Sequence, residues 1–224
     1  MSTERVGVAA NLSLFEDDSA PRIEPLVPGA VVWRAGARAS DSALLTAVQE
    51  VAAQAPWRHL ITPGGFRMSV AMTSCGPLGW VSDRRGYRYE SIDPDSGRAW
   101  PPMPHAFQAL AKVAASQAGF DSFEPDACLI NRYVPGARLT LHQDLDERDA
   151  HSPIVSVSAG LPAIFQFGGA ARSAPKQRIT LEHGDVVVWG GPARFFFHGV
   201  LPLKEGCHPL TGAQRINLTF RRAR

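Results

Sequence analysis

The stretch RLTLHQDLDERDA, Arg138 to Ala150, ends an apolar, alternating run with one histidine and then four carboxylates. Along a strand, positions i and i+2 face the same side. His142 and Asp144 therefore project together, an imidazole beside a carboxylate, spaced to hold one cation. By itself an H-x-D also fits the end of a surface strand. His198, in FFFHGV, supplies a third candidate ligand: it follows an apolar run and precedes a glycine. Two histidines and one carboxylate form the facial set that binds non-haem iron(II) and leaves three positions open. Zinc more often recruits a third histidine or cysteines. His59, His105, His151, His183 and His208 show no comparable spacing and read as surface or core residues.

A second pattern lies at the C-terminus, in RINLTFR. Alternation puts Ile216, Leu218 and Phe220 on one face and Arg215, Asn217, Thr219 and Arg221 on the other. Two inward arginines are costly in an apolar interior unless anions meet them. A dicarboxylate suits the site: an arginine fork clamps one carboxylate and the other end reaches the metal. An exposed edge strand with a polar face would carry the same letters. In INRYV, Asn131 and Tyr133 share a face and offer polar tips to the same pocket, although a core tyrosine reads alike.

These residues need a scaffold. From Ala127 onward, short β-type runs follow one another at close spacing: CLINRYV, RLTLHQ, PIVSVSAG, AIFQFGG, RITLEHGDVVVWGG, RFFFHGV and RINLTFR. This is the pattern of a sandwich or jelly roll. Ser40 and Asp41 offer N-caps to a helix, SALLTAVQEVAAQA, with Leu44, Leu45, Val48 and Val51 on one face and Pro56 as its stop. HAFQALAKVAASQAG after Pro104 reads as a second helix, with Phe107, Leu110, Ala111 and Ala114 as its stripe and Gly119 as its terminator. Between them, residues 62–100 are rich in Gly, Pro, Arg and aromatics, too long for a mere connector. The expectation is an α+β protein: a double-stranded β-helix over 127–224 backed by two helices. Residues 62–100 read as hairpins and loops carrying a binding surface, in an N-terminal half that covers one mouth, and 1–30 as an extended or partly mobile arm before a single domain over 31–224.

The bulk numbers fit a soluble domain. The 224 residues are 45% hydrophobic and 20% charged, with a net charge of +2 and a pI near 8.6. That charge permits contact with a polyanion without arguing for it. Cys75, Cys128 and Cys207 are too sparse for a disulfide framework or a zinc knuckle. No secretory leader or membrane-crossing run is visible. The expectation is a cytoplasmic monomer with no membrane partner.

The H-x-D, the distant histidine and the R-x5-R of the last strand together resemble the Fe(II)/2-oxoglutarate dioxygenases. TPGGFRMSVAMTSCGPLGW, PDACLINRYVPGARLTLHQD, PIVSVSAGLPAIFQFGG, LEHGDVVVWGG and INLTFR resemble, more narrowly, the bacterial AlkB-type DNA dealkylases, from about Leu14 to the last strand. The resemblance implies His142, Asp144 and His198 as iron ligands. It implies Asn131, Tyr133, Arg215, Asn217 and Arg221 as 2-oxoglutarate contacts, with Arg215 on the distal carboxylate. Trp80 matches the aromatic that stacks on the damaged base, and Tyr87, Arg88 and Tyr89 match nucleic-acid contacts. Asp146 matches the carboxylate near the base's exocyclic nitrogen, and Arg172 and Met72 match further substrate contacts.

The implied reaction is oxidative demethylation of 1-methyladenine and 3-methylcytosine, using Fe(II), 2-oxoglutarate and O2. It releases formaldehyde, succinate and CO2, with residues 62–100 as a nucleotide-recognition lid. Alkylated single-stranded DNA is the foremost substrate, with RNA or double-stranded DNA as alternatives. Phe66 stands where a tyrosine is common in the family, and Leu145 where a basic residue is familiar. A related oxygenase acting on a protein side chain or a small molecule would keep the triad and the arginine strand, but would not need Trp80, Tyr87 and Asp146. A jelly-roll binding module with a vestigial metal site would not need intact ligands.

Overall fold

The computed structural model describes residues 20–224. In chain order the elements are β1 (Arg22–Val27), β2 (Ala30–Arg34), α1 (Asp41–Gln54), β3 (Ala71–Cys75), β4 (Gly79–Asp83), β5 (Gly86–Glu90) and α2 (His105–Gln117). There follow β6 (Ala127–Tyr133), β7 (Leu139–His142), β8 (Ile154–Gly160), β9 (Ala163–Phe167), β10 (Gln177–Leu181), β11 (Val186–Trp189), β12 (His198–Val200) and β13 (Arg215–Arg221). A large sheet runs β1-β2-β11-β8-β13-β6-β3, a smaller one β10-β9-β12-β7, and β4-β5 form a separate hairpin. The pairings between these strands are antiparallel. This is the jelly roll, with its two helices, that the β-run spacing predicts.

Alternation sorts two cores. Val155, Val157, Val186, Val188, Ile216, Leu218 and Phe220 of the large sheet pack against Leu44, Val48 and Val51 of α1 and Phe107, Leu110 and Ala114 of α2. Phe107, fully buried, meets Phe220 edge-on at 5.9 Å. Burying one such ring contributes about 1.5–3 kcal/mol, and this contact fixes α2 over the last strand. The opposite faces of the same strands join the smaller sheet in a second cluster, including Val187, Trp189, Phe165, Phe167 and Ile179. Arg215, Asn217, Thr219 and Arg221 consequently turn into the space between the sheets, all buried.

The structure departs from the sequence expectation in the N-terminal half. Part of the arm expected over 1–30 lies outside the described residues, but Arg22–Val27 is a strand paired with β2. Pro25 is tolerated there because β1 is an edge strand, where a missing N–H interrupts no interior ladder. Within 62–100, β3 pairs with β6 and closes the far edge of the large sheet. RITLEHGDVVVWGG is two strands, β10 and β11, split at Gly184, whose φ of 86° requires the turn. In RFFFHGV only His198–Val200 is strand, because a 3-10 turn at Gly191–Ala193 leads into the phenylalanines.

Candidate active site

The smaller sheet brings the two histidines together. β12 pairs with β7 so that His198 lies directly opposite His142, with ring centroids 4.4 Å apart. A slip of one residue would turn one ring to the other face. Gly199 makes the close approach possible: a Cβ there would lie 2.8 Å from the Leu139 carbonyl oxygen. Asp144 completes the group, with Oδ1 3.7 Å from His142 Nε2 and Oδ2 3.9 Å from His198 Nε2. Ligand atoms from the three residues fall within 4.8 Å of one another.

The imidazoles are oriented for ligation. His142 Nδ1 lies 2.8 Å from the Thr140 carbonyl oxygen, and His198 Nδ1 lies 3.0 Å from that of Phe196. A carbonyl only accepts, so each Nδ1 carries the proton and each Nε2 is left with its lone pair toward the cluster. Burial, with His142 next, pushes His198 down to about 4. The ring therefore stays neutral, and ligating, well below neutral pH. Burial would raise Asp144, but Arg221, with His198 and His142, outweighs it and holds the carboxyl well below the usual range.

The His198 shift gives a pH prediction. Its folded pKa is depressed below the ordinary imidazole value, so the unfolded chain binds the extra proton between about 6.5 and 4. The stability this group contributes is complete above about 6.5 and is lost as pH falls toward 4. The metal-free protein should melt progressively lower across that window, and His198→Gln should flatten the slope. An equal slope in the variant would refute the assignment.

Asp144 is not placed by the strand pleat. β7 ends at His142, and two arginines hold the next residues instead. Arg221 donates to Asp144 Oδ2 through Nε (3.0 Å) and Nη2 (2.7 Å). Arg194 Nη1 donates to the Asp144 main-chain oxygen at 3.0 Å.

Beside the triad is a polar strip between the sheets. Arg215, 1% exposed, donates one hydrogen bond, from Nη2 to Ser158 Oγ at 2.9 Å. Among the described residues its Nε and Nη1, and the hydroxyl of buried Tyr133, have no hydrogen-bond partner. The guanidinium lies 5.0 Å from the Tyr133 ring centroid. Burial lowers Arg215 and pushes the Tyr133 hydroxyl up to about 12. A buried cation with two vacant donors and a neighbouring vacant hydroxyl is costly, and an anionic carboxylate satisfies all three. Asn217 is fully engaged: Nδ2 donates to Ser156 Oγ (2.8 Å) and Val157 O (2.9 Å), and Oδ1 accepts from Thr219 Oγ1 (3.0 Å) and Asn131 Nδ2 (3.3 Å). The donor set and the vacant cradle thus fit an iron ion with a dicarboxylate chelating it.

The hairpin frames the other side. Gly79 lies under Trp100, where a Cβ would meet the ring at 2.2 Å. The next residue, Trp80, stacks on Tyr87 at 5.4 Å and donates from Nε1 to Asp146 Oδ2 at 2.8 Å. Burial, offset by the Trp80 bond but reinforced by Glu147 and Asp144, raises Asp146. Met72, 2% exposed, pairs with Asn131 across β3–β6 and packs in the inner core with Trp80. Arg88 is taken up by Asp83 and Glu90. Tyr89 turns its hydroxyl inward, to Glu147 Oε1 at 2.6 Å, rather than to the surface. Arg172 is exposed, its guanidinium 5.0 Å from the Phe197 ring centroid. Sequence reasoning missed Ser156, Ser158, Glu147 and Arg194. The serines were legible from strand alternation in PIVSVSAG, whereas nothing in PARFFF marks Arg194.

A jelly roll with a two-histidine, one-carboxylate centre beside a buried, half-vacant arginine defines an iron oxygenase that takes an anionic cosubstrate. Residues 31–221 match the model of the 2OG-Fe(II) oxygenase superfamily, and the chain belongs to that superfamily as a 2-oxoglutarate-dependent dioxygenase of the AlkB type. It is 58% identical over 212 residues to the alpha-ketoglutarate-dependent dioxygenase AlkB of Salmonella typhimurium, spanning 95% of this chain and 98% of that one. A DNA N(6)-methyladenine demethylase of Arabidopsis thaliana, ALKBH1C, is 32% identical over 170 residues, 64% of this chain and 37% of the relative. The solved structure of OsALKBH1 superposes with a TM-score of 0.78 at 27% identity, covering 90% of this chain and all of that one.

Proposed function

We propose that this dioxygenase demethylates bases alkylated on pairing-edge ring nitrogens, 1-methyladenine and 3-methylcytosine, in single-stranded DNA. The reaction releases formaldehyde, succinate and CO2. The observation that carries the reading is the Trp80–Asp146 pair, hydrogen-bonded at 2.8 Å and two residues from the metal carboxylate. Methylation of a ring nitrogen makes the base cationic and blocks its pairing, so extracting it costs less. An aromatic face joined to a carboxylate suits a flat cation.

His142, Asp144 and His198 hold the iron. Arg215 and Tyr133 bind the distal carboxylate, and Asn131, Asn217 and Arg221 shape the rest of that pocket. When bound, iron with 2-oxoglutarate and O2 supplies the oxidation that hydroxylates the N-methyl carbon. Trp80 and Asp146 orient the base, and Met72 closes the pocket behind Trp80. Tyr87, Arg88 and Arg172 face the strand, with residues 62–100 acting as the lid over a jelly-roll core at 127–224. The lid function centres on the β4–β5 hairpin, within a single domain over 31–224.

Among the described residues no helix is long and apolar enough to cross a membrane; a monomer acting in the cytoplasm is part of the proposal. Succinate release tests the class of substrate: a methylated single-stranded oligonucleotide should stimulate it over the unmethylated one. Methylated duplex and RNA of the same sequence serve as comparison arms. Equal rates for methylated and unmethylated strands would favour a protein or small-molecule substrate.

Trp80→Ala should weaken binding of the methylated single strand by about 1–3 kcal/mol, the worth of one base–aromatic stack. Uncoupled 2-oxoglutarate turnover should remain. Unchanged affinity with a large drop in Tm would make Trp80 a core residue only.

A further inference from the structure

A buried glutamate lies just past the metal carboxylate and belongs to neither the triad nor the anion cradle. The Glu147 side chain is 2% exposed. Its Oε1 accepts from the Tyr89 hydroxyl of β5 at 2.6 Å and lies 3.2 Å from Arg221 Nε. Its Oε2 accepts from Arg194 Nη2 at 3.0 Å. Both arginines also grip Asp144, Arg221 by the side chain and Arg194 by the main-chain oxygen. One glutamate thus braces both clamps on a single metal ligand.

Two consequences follow. Arg221 occupies Asp144 Oδ2, which leaves Oδ1 to offer a cation and keeps the carboxylate from chelating through both oxygens. The charges also balance: two guanidiniums face Asp144 and Glu147. Their side chains are 2% and 8% exposed for Arg194 and Arg221, so water screens them little. Without the Glu147 charge, a metal cation would meet two arginines offset by one carboxylate. Through the Tyr89 hydroxyl, Glu147 also fastens the hairpin that bears Trp80.

We propose that Glu147 is a positioning residue of the metal centre, bracing Asp144 through Arg221 and Arg194 and coupling it to the β4–β5 hairpin through Tyr89. The inference rests on the reading of His142, Asp144 and His198 as metal ligands. Coupling of this kind is reciprocal: whatever seats the hairpin favours the metal, and the metal favours the seated hairpin.

The test is a Mn(II) titration of the metal-stripped full chain, followed by the EPR signal of free Mn(II), with Tm measured on each preparation. His142→Ala controls for the triad: its loss of Mn(II) binding supports the ligand reading whatever Glu147 does. Glu147→Gln keeps the shape and removes the charge. It should weaken Mn(II) binding by about 10–100-fold, the usual effect of losing an outer partner of a metal ligand, and Glu147→Asp should restore part of it. Affinity equal to wild type in folded Glu147→Gln would overturn the proposal, even with a lowered Tm, since a purely structural role moves Tm alone. If Glu147→Gln does not fold, Arg194→Lys carries the same expectation and the same refutation. Hydrogen exchange over residues 79–90 reads the coupling: Mn(II) should slow it in wild type and not in Tyr89→Phe. Metal-independent exchange in wild type would overturn the hairpin link.

Discussion

His142→Ala, Asp144→Ala and His198→Ala are each expected to abolish 2-oxoglutarate-dependent turnover while the chain stays folded. The three differ in what else they disturb. His142 is partly exposed, and among the described residues its ring hydrogen-bonds to Thr140 two residues away, so its removal should change Tm least. Asp144→Ala strips Arg221 of its main partner and leaves a buried guanidinium short of charge, a loss of about 3–5 kcal/mol for breaking a buried pair. His198→Ala opens a space beside Trp189, whose ring centroid is 4.9 Å away. His142→Ala is therefore the cleanest of the three. Turnover at the wild-type rate by the iron-loaded, folded variant would remove the triad from the mechanism.

Arg215→Met should separate stability from function in opposite directions. Methionine fills much of the same space without the charge. The 2-oxoglutarate requirement should rise by about 2–5 kcal/mol, the cost of deleting one partner of a buried charge-assisted pair, or roughly 30-fold or more in half-saturating concentration. Binding of methylated DNA should be spared. In the protein without cosubstrate, Tm should hold or increase, because two unpartnered donors on a desolvated cation are removed. An arginine kept only for folding would give the reverse: a lower Tm and an unchanged half-saturation.

The C-terminal sheets were legible because their strands alternate. Ile216, Leu218 and Phe220 face the helices and Arg215, Asn217, Thr219 and Arg221 face inward, as RINLTFR predicts. The helices were legible from their stripes and from Pro56 and Gly119. The N-terminal strands were not. β1 contains a proline, and β2 and β3 gain their identity from partners distant in sequence, β11 and β6. For Asp144 the i, i+2 argument reached the right residue for an incomplete reason, since the strand has ended and Arg221 and Arg194 set its position. Those contacts join residues 50 and 77 positions away in sequence, beyond what local spacing encodes. Trp80 and Asp146 are singled out by the family resemblance, but their hydrogen bond is not legible in the sequence. The resemblance matches Tyr89 to a nucleic-acid contact, yet its hydroxyl is drawn inward by Glu147.

The most direct test of the central claim is mass spectrometry of a single-stranded oligonucleotide bearing one 1-methyladenine, after incubation with the protein, iron(II), ascorbate and 2-oxoglutarate. The oligonucleotide should lose the mass of the methyl substitution, with one formaldehyde formed per methyl group lost, at least as much succinate, and no change when 2-oxoglutarate is left out. An oligonucleotide of unchanged mass, from a preparation that binds iron and converts 2-oxoglutarate to succinate, would contradict it.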